Sequence, residues 1–171
     1  MVNHITLKSS RLELRTFLEG DFQGILNLQE ENKNLVFFQL DNEIKKIDQL
    51  IDKGKVNNYI FSIILQNFNS FIGLCGLEII ETKLQANIFY ALLSNFWNNG
   101  FGYEAVNELI KFAFSDLQLN EIRAYIIDGN TSAWKVVERV GLKYMGQNNV
   151  QSNKVMLFSI NKKEYLNQNW Y

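Results

Sequence analysis

The sequence predicts a mixed α/β (α+β) chain in which helices pack on the faces of a sheet. Three observations lead there. Three β-type runs follow one another between Tyr59 and Leu93, separated by polar turns. Directly after Gly102 the apolar period lengthens from that of a strand to that of a helix. Strand and helix patterns then alternate toward the C-terminus.

Taken in order, "RLELRTF" (Arg11 to Phe17) alternates Leu12 and Leu14 against Glu13 and Arg15, as a half-buried strand does. "EGD" then opens a helix, with Asp21 as N-cap and Phe22, Ile25, Leu26 and Leu28 at helical spacing. A second helical pattern runs from Asn42 to Lys53. "YIFSIIL" (Tyr59 to Leu65) and "SFIGLCGLEII" (Ser70 to Ile80) read as strands joined by the turn "NFNS". Ala86 to Leu93 is a third strand, apolar on both faces as a central strand should be. Beyond Gly102, Ala105, Leu109, Phe112 and Ala113 line one face of a helix ending near Asp116, widened by Val106, Ile110 and Phe114. Glu121 to Asp128 is a strand, Thr131 to Val140 a helix stopped by Gly141, and Lys154 to Ile160 a last strand.

Length and composition bound the function. A chain of 171 residues predicts a single domain over 1–171 and can bury about 70% of its unfolded surface. With 47% apolar and 20% charged residues it is a globular chain, and a net charge of −1 gives no support for a nucleic-acid partner. The lone cysteine, Cys75, excludes an internal disulfide and reads as a buried, inert thiol in an apolar run. No apolar run approaches the ~20 residues needed to span a bilayer, and "MVNHITLKSS" lacks the apolar segment of a signal peptide. A cytoplasmic protein without a membrane partner is expected. His4, the only histidine, lies in the N-terminal tail and is given no role. Trp134 and Val137 read as core, Trp170-Tyr171 as a docking terminus, and Lys45-Lys46 and Lys162-Lys163-Glu164 as solvated faces.

The stretch "FWNNGFGYEA" carries the main functional signal. Asn-Gly is a strong hairpin signal, but a hairpin needs a second strand where this sequence has a helix. The unit is therefore strand, tight Gly-x-Gly loop, helix. The amides of Asn98, Asn99, Gly100, Phe101, Gly102 and Tyr103 then gather at a helix N-terminus, where the dipole favours an anion such as a phosphate or pyrophosphate. The loop is not a P-loop, because the Gly-Lys-Ser/Thr ending is missing, and the dinucleotide fingerprint is missing too. An ordinary strand–helix turn is the structural alternative.

With the downstream "NTSAWKVVERVGL" (Asn130 to Leu142), the pattern resembles the GNAT acetyltransferases, and within them the branch that acetylates ribosomal-protein N-termini. That family's phosphate motif is Arg/Gln-x-x-Gly-x-Gly/Ala; here Trp97, Gly100 and Gly102 hold the three positions. The branch often has Trp-Gly-Lys-Gly-Tyr-Ala-Thr-Glu-Ala where this chain has "WNNGFGYEA". "RLELR" followed by Asp21 resembles its N-terminal Arg-Leu-x-Leu-Arg and downstream Asp. The similarity spans nearly the whole chain in order.

The resemblance implies a mixed, mostly antiparallel sheet splayed in the middle, and acetyl transfer from acetyl-CoA to a primary amine without a metal. The acceptor it favours is a protein N-terminal α-amine. A polyamine or other small amine, or a CoA-binding module with attenuated catalysis, are the alternatives. A homodimer is compatible with it. It places pyrophosphate on the Asn98–Tyr103 amides, pantetheine along the third strand near Leu92 and Leu93, an oxyanion-stabilising N–H near Ala91 or Leu92, and a pantetheine hydrogen bond at Asn130, whose structural alternative is a helix N-cap. Relatives often carry a Glu at the position of Asn87, a Tyr at Val137 and a Ser at Ala133, so the general base and acid are missing there. Glu78 is the substitute base, on the expectation that its apolar strand buries it and makes its carboxylate more basic; the structural alternative is a carboxylate at a solvated strand end. Glu81, beside a polar turn, is a further candidate.

Overall fold

The computed structural model describes residues 5–31, 58–150 and 153–168. The helical pattern at 42–53, His4, Lys45-Lys46 and Trp170-Tyr171 lie outside them. The elements run β1 (Thr6–Lys8), β2 (Leu12–Arg15), α1 (Phe22–Glu31), β3 (Asn58–Leu65), β4 (Ser70–Ile80) and β5 (Gln85–Leu92). They continue as α2 (Phe101–Ser115), β6 (Glu121–Ile127), α3 (Thr131–Arg139), β7 (Lys143–Val150), β8 (Asn153–Asn161) and α4 (Lys162–Gln168).

The strands form one eight-stranded sheet in the order β1-β2-β3-β4-β5-β6-β8-β7. Every neighbouring pair is antiparallel except β5 and β6, which run parallel. That parallel pair is short: Gln85 faces Glu121, Ala86 faces Ile122, Asn87 faces Arg123, and pairing stops. Both strands continue, β5 to Leu92 and β6 to Ile127, without each other. This is the splay that the family resemblance implies.

A helix with its apolar stripe must bury it, and α2 does so against the sheet. Ala105, Val106, Leu109, Ile110 and Ala113 are fully buried and share one core with Leu77, Ile88, Ile122 and Phe158. Val137 of α3 is buried in the same core. On the opposite face, Ile25 and Leu28 of α1 pack on Leu74 and Ala91. The alternation of β5 is thereby fixed: Ala86, Ile88 and Leu92 belong to the α2 side and Ala91 to the α1 side.

Several expectations need correction. Asp21 is not a simple N-cap of α1. It ends a short 3-10 turn (Glu19–Asp21), is 4% exposed, and its Oδ2 accepts from Leu18 N–H at 3.0 Å. Its carboxylate takes both arms of Arg15, at 2.7 and 2.9 Å, and the Ser62 hydroxyl at 2.8 Å. Burial alone raises such a carboxyl, but the Arg15, Leu18 and Ser62 hydrogen bonds outweigh it and hold Asp21 below its ordinary value. Trp134 is 37% exposed, so only Val137 of that pair is core. Three elements lack a sequence expectation. β1 is a three-residue edge strand. β7 carries "KYMGQNNV", whose alternation is broken by a bulge between Tyr144 and Gly146. Helix α4 was expected only as a solvated face. It begins with a capping box, Asn161 Oδ1 accepting from Glu164 N–H and Glu164 Oε2 accepting from Asn161 N–H.

Candidate active site

The loop between β5 and α2 is built by two left-handed residues, Asn98 (φ 61) and Gly100 (φ 80), on either side of Asn99. The first bond of α2 is Glu104 N–H to the Gly100 carbonyl, 3.1 Å. The amides of Phe101, Gly102 and Tyr103 therefore have no intrahelical partner. Together these features form a concave, N–H-rich end of a long helix, the shape that accepts phosphate. The two glycines have different reasons to be there. Gly100 needs its positive φ, and a Cβ on it would meet only Arg11, at 3.4 Å. At Gly102 a Cβ would lie 2.9 Å from the Tyr90 ring, so this position is glycine for packing. Tyr90 itself is half-buried, and desolvation of its phenol pushes it up to about 12 and keeps it neutral.

Glu104 anchors this loop to the N-terminal segment. Its Oε1 accepts from Ser9 Oγ (2.6 Å), Ser10 Oγ (3.1 Å) and Arg11 N–H (2.8 Å), and its Oε2 from Arg11 Nε (2.7 Å). Burial acts to raise this carboxyl, yet the hydrogen bonds from Ser9, Arg11 and Ser10 prevail and hold it low. Arg11 also donates to the Asn99 carbonyl at 3.0 Å and lies over the Phe101 ring at 4.5 Å. Both arginines of "RLELR" are thus spent on the fold: Arg11 clamps the loop and Arg15 holds Asp21. Sequence reasoning missed the Glu104 clamp, although the Glu of "WNNGFGYEA" is shared with the branch motif.

Trp97 stands where the family has Arg or Gln. Its indole N–H donates to the Leu92 carbonyl at 2.8 Å, turning the chain back on the end of β5. Leu93 donates its N–H to Ile72 and accepts from Phe96, both at 2.9 Å, so both of its backbone groups are already engaged. Because Leu93 bonds to β4, the antiparallel alternation turns Ala91 toward β4 as well. It turns Tyr90 and Leu92 toward the splay. Of the two amides expected to stabilise an oxyanion, only that of Leu92 faces the gap.

Across the gap, Asn130 caps α3: its Oδ1 accepts from Ala133 N–H at 3.1 Å. The structural alternative is therefore present, and the amide NH2 is left to donate. Ala133 and the buried Val137 carry no proton donor.

On the α1 side of the sheet the register places Glu78 of β4 directly opposite Asn87 of β5. Asn87 Nδ2 donates to Glu78 Oε2 at 2.9 Å. The expected burial of Glu78 is not found; it is exposed. The strand is apolar in composition, but Glu78 lies near its end, past the run covered by α1. The side chain of Glu81 lies outside the described residues. Next along the same face, Glu121 is tied to Arg123 (2.8 Å) and Ser159 (2.8 Å), and Gln85 Nε2 also donates to it. The Arg123 pairing, the leading effect, holds Glu121 low. Cys75 is fully buried, burial pushes its thiol up, and it takes no part. No cluster of His, Cys, Asp and Glu suited to a metal occurs among the described residues.

Residues 11–143 match the family model of the acetyltransferase (GNAT) domain. The chain belongs to the GNAT acetyltransferase family. It is 34% identical over 129 residues to the uncharacterized N-acetyltransferase p20 of Bacillus licheniformis, covering 71% of each chain. Its fold is that of a ribosomal-protein-S5-alanine acetyltransferase from Vibrio fischeri, with TM-score 0.76, 19% identity and coverage of 94% and 98%. A variant of the spermidine N-acetyltransferase SpeG from Vibrio cholerae is as similar, at TM-score 0.77, 22% identity and coverage of 94% and 99%. As a GNAT protein the chain is an acetyl-CoA-dependent acyltransferase. No helix among the described residues is long and apolar enough to cross a membrane.

Proposed function

We propose that this GNAT protein transfers the acetyl group of acetyl-CoA to a protein N-terminal α-amine, using the Glu78–Asn87 pair at the acceptor side. The observation that carries the reading is the end of β5–β6 pairing at Asn87. It opens a slot whose cradle end is the Asn98–Tyr103 loop and whose other end is the register pair Glu78–Asn87.

Bound acetyl-CoA supplies an activated acyl thioester. The free amides of Phe101, Gly102 and Tyr103 suit its pyrophosphate, the Tyr90 backbone groups its pantetheine arm, and the Asn130 NH2 group a pantetheine oxygen. The protonated amine donates a proton to the Glu78 carboxylate. Its nitrogen then forms a bond to the acetyl carbon, gives up its second proton to solvent as the amide forms, and the carbon–sulfur bond breaks. CoA leaves as thiolate and is protonated by solvent, since a thiolate leaves without a donor far more readily than an alkoxide. The Leu92 N–H, in the gap, suits the developing oxyanion. Positioning supplies the rest.

The resemblance to the ribosomal-protein branch favours one amine over a polyamine. Among the described residues of the β4–β6 face, Glu121 is paired with Arg123 and Glu78 with Asn87. The test is release of CoA thiol from acetyl-CoA with N-terminal peptides and with diamines and polyamines. Turnover restricted to peptides supports the reading. Faster turnover with polyamines replaces the acceptor, and CoA binding without turnover for any amine reduces the protein to a binding module.

A further inference from the structure

We propose that Asn87 binds the acceptor amine through its side-chain oxygen while holding Glu78 in place with its side-chain nitrogen. The inference rests on the reading of Glu78 as the base and adds the group that presents the amine to it. An ionised carboxylate can only accept hydrogen bonds, so Asn87 must offer Glu78 its NH2, as it does at 2.9 Å. The planar amide then turns Oδ1 away from Glu78. That atom is buried and has no hydrogen-bond partner. A buried acceptor left unpaired is costly, and a ligand donor relieves the cost.

Gln85 Oε1 is the other buried side-chain acceptor without a partner. Gln85 sits two residues deeper in the closed ladder, opposite Glu121. Asn87 is instead the last paired residue before the strands part. Asn87 thus sits where the strands part and beside the carboxylate. A protonated primary amine has three N–H groups. One can go to Asn87 Oδ1 and another to Glu78, and this pair of contacts fixes which hydrogen is removed. Where relatives place a Glu on β5, this chain holds the carboxylate one strand over and keeps an amide on β5 to orient it.

The test compares Asn87→Leu and Asn87→Asp with the parent in steady-state assays over pH, alongside direct CoA binding and thermal unfolding. Asn87→Leu keeps the size and removes both polar contacts. It is expected to raise the acceptor KM about tenfold, as loss of one hydrogen bond does, and to move the acid limb of kcat/KM to higher pH. CoA affinity should stay unchanged. Asn87→Asp, which keeps the shape should the Leu variant fold poorly, is expected to move the same limb further by placing a second carboxylate beside Glu78. Unchanged KM and an unmoved limb in either folded variant would overturn the inference, whatever happens to the melting temperature. Failure of the base reading is read separately: Glu78→Gln at parental activity sinks Glu78, while the Asn87→Leu effect on acceptor KM still stands or falls alone.

Discussion

The two ends of the slot are built in opposite ways. At the cradle, Glu104, Arg11, Ser9, Ser10, Asn99 and Trp97 form a network in which each member has partners. At the acceptor end, one hydrogen bond joins the exposed Glu78 to Asn87, and Asn87 keeps an unpaired oxygen. The end proposed for the cofactor is held by the fold, whereas the end proposed for the acceptor keeps an unpaired polar atom. Preorganisation suits a cosubstrate that every turnover shares, and an unsatisfied site suits the partner that completes it.

Substitutions should separate the two ends. The largest effect is expected for Glu78→Gln, which removes the proposed base: kcat falls about 10²–10⁴-fold, in the range for general-base loss, while CoA affinity measured by titration is unchanged. Gly100→Val acts at the other end. It forces a β-branched residue to φ 80, so the loop must move; CoA affinity is expected to drop roughly 10–100-fold, with the fold intact by circular dichroism. Equal affinity in that variant would return the loop to a plain structural turn.

Glu104→Gln weakens the clamp without touching the ligand. Unfolding by denaturant should show a loss of about 1–3 kcal/mol, the low end applying because Arg11 is partly exposed. The pH dependence follows from the same carboxyl. Glu104 and Asp21 are both held below their ordinary values, so the unfolded chain binds their protons more readily than the folded one. Their stabilisation is present above the unfolded carboxyl pKa and is lost as pH falls through the folded values. Denaturation midpoints across the acid range should decline in the parent and decline less in the Glu104→Gln variant. The smallest effect is expected at Asn130→Ala, about 1 kcal/mol for a lost N-cap, with a modest rise in CoA Kd if its NH2 also serves pantetheine.

Much of this was legible in the sequence, and the reasons are local. The helix after Gly102 was readable because its stripe is wide and uninterrupted, and β3, β4 and β5 because apolar runs end in polar turns. The strand–loop–helix unit around Gly100 was readable because a hairpin would need a strand where the sequence has a helix. What stayed hidden depends on pairing between distant strands. Nothing in "GLCGLEII" says that Glu78 faces Asn87; the β4–β5 register does. Nor does local sequence show that Glu78 lies beyond Leu74, the β4 residue on which α1 packs, so the alternative of a solvated strand end prevails over burial. β7 escaped because a bulge breaks its alternation, while α4 carried a readable capping box at Asn161 and Glu164.

Amide hydrogen exchange of β5, with and without CoA, tests the central claim most directly. The register leaves the Tyr90 and Leu92 amides facing an open gap, while Ala91 is bonded to β4. Without CoA, Tyr90 and Leu92 should exchange much faster than Ala91. With CoA bound Tyr90 should become protected together with Phe101, Gly102 and Tyr103, and Ala91 should change little. Saturating CoA that leaves Tyr90 and the Phe101–Tyr103 amides unprotected would contradict the account.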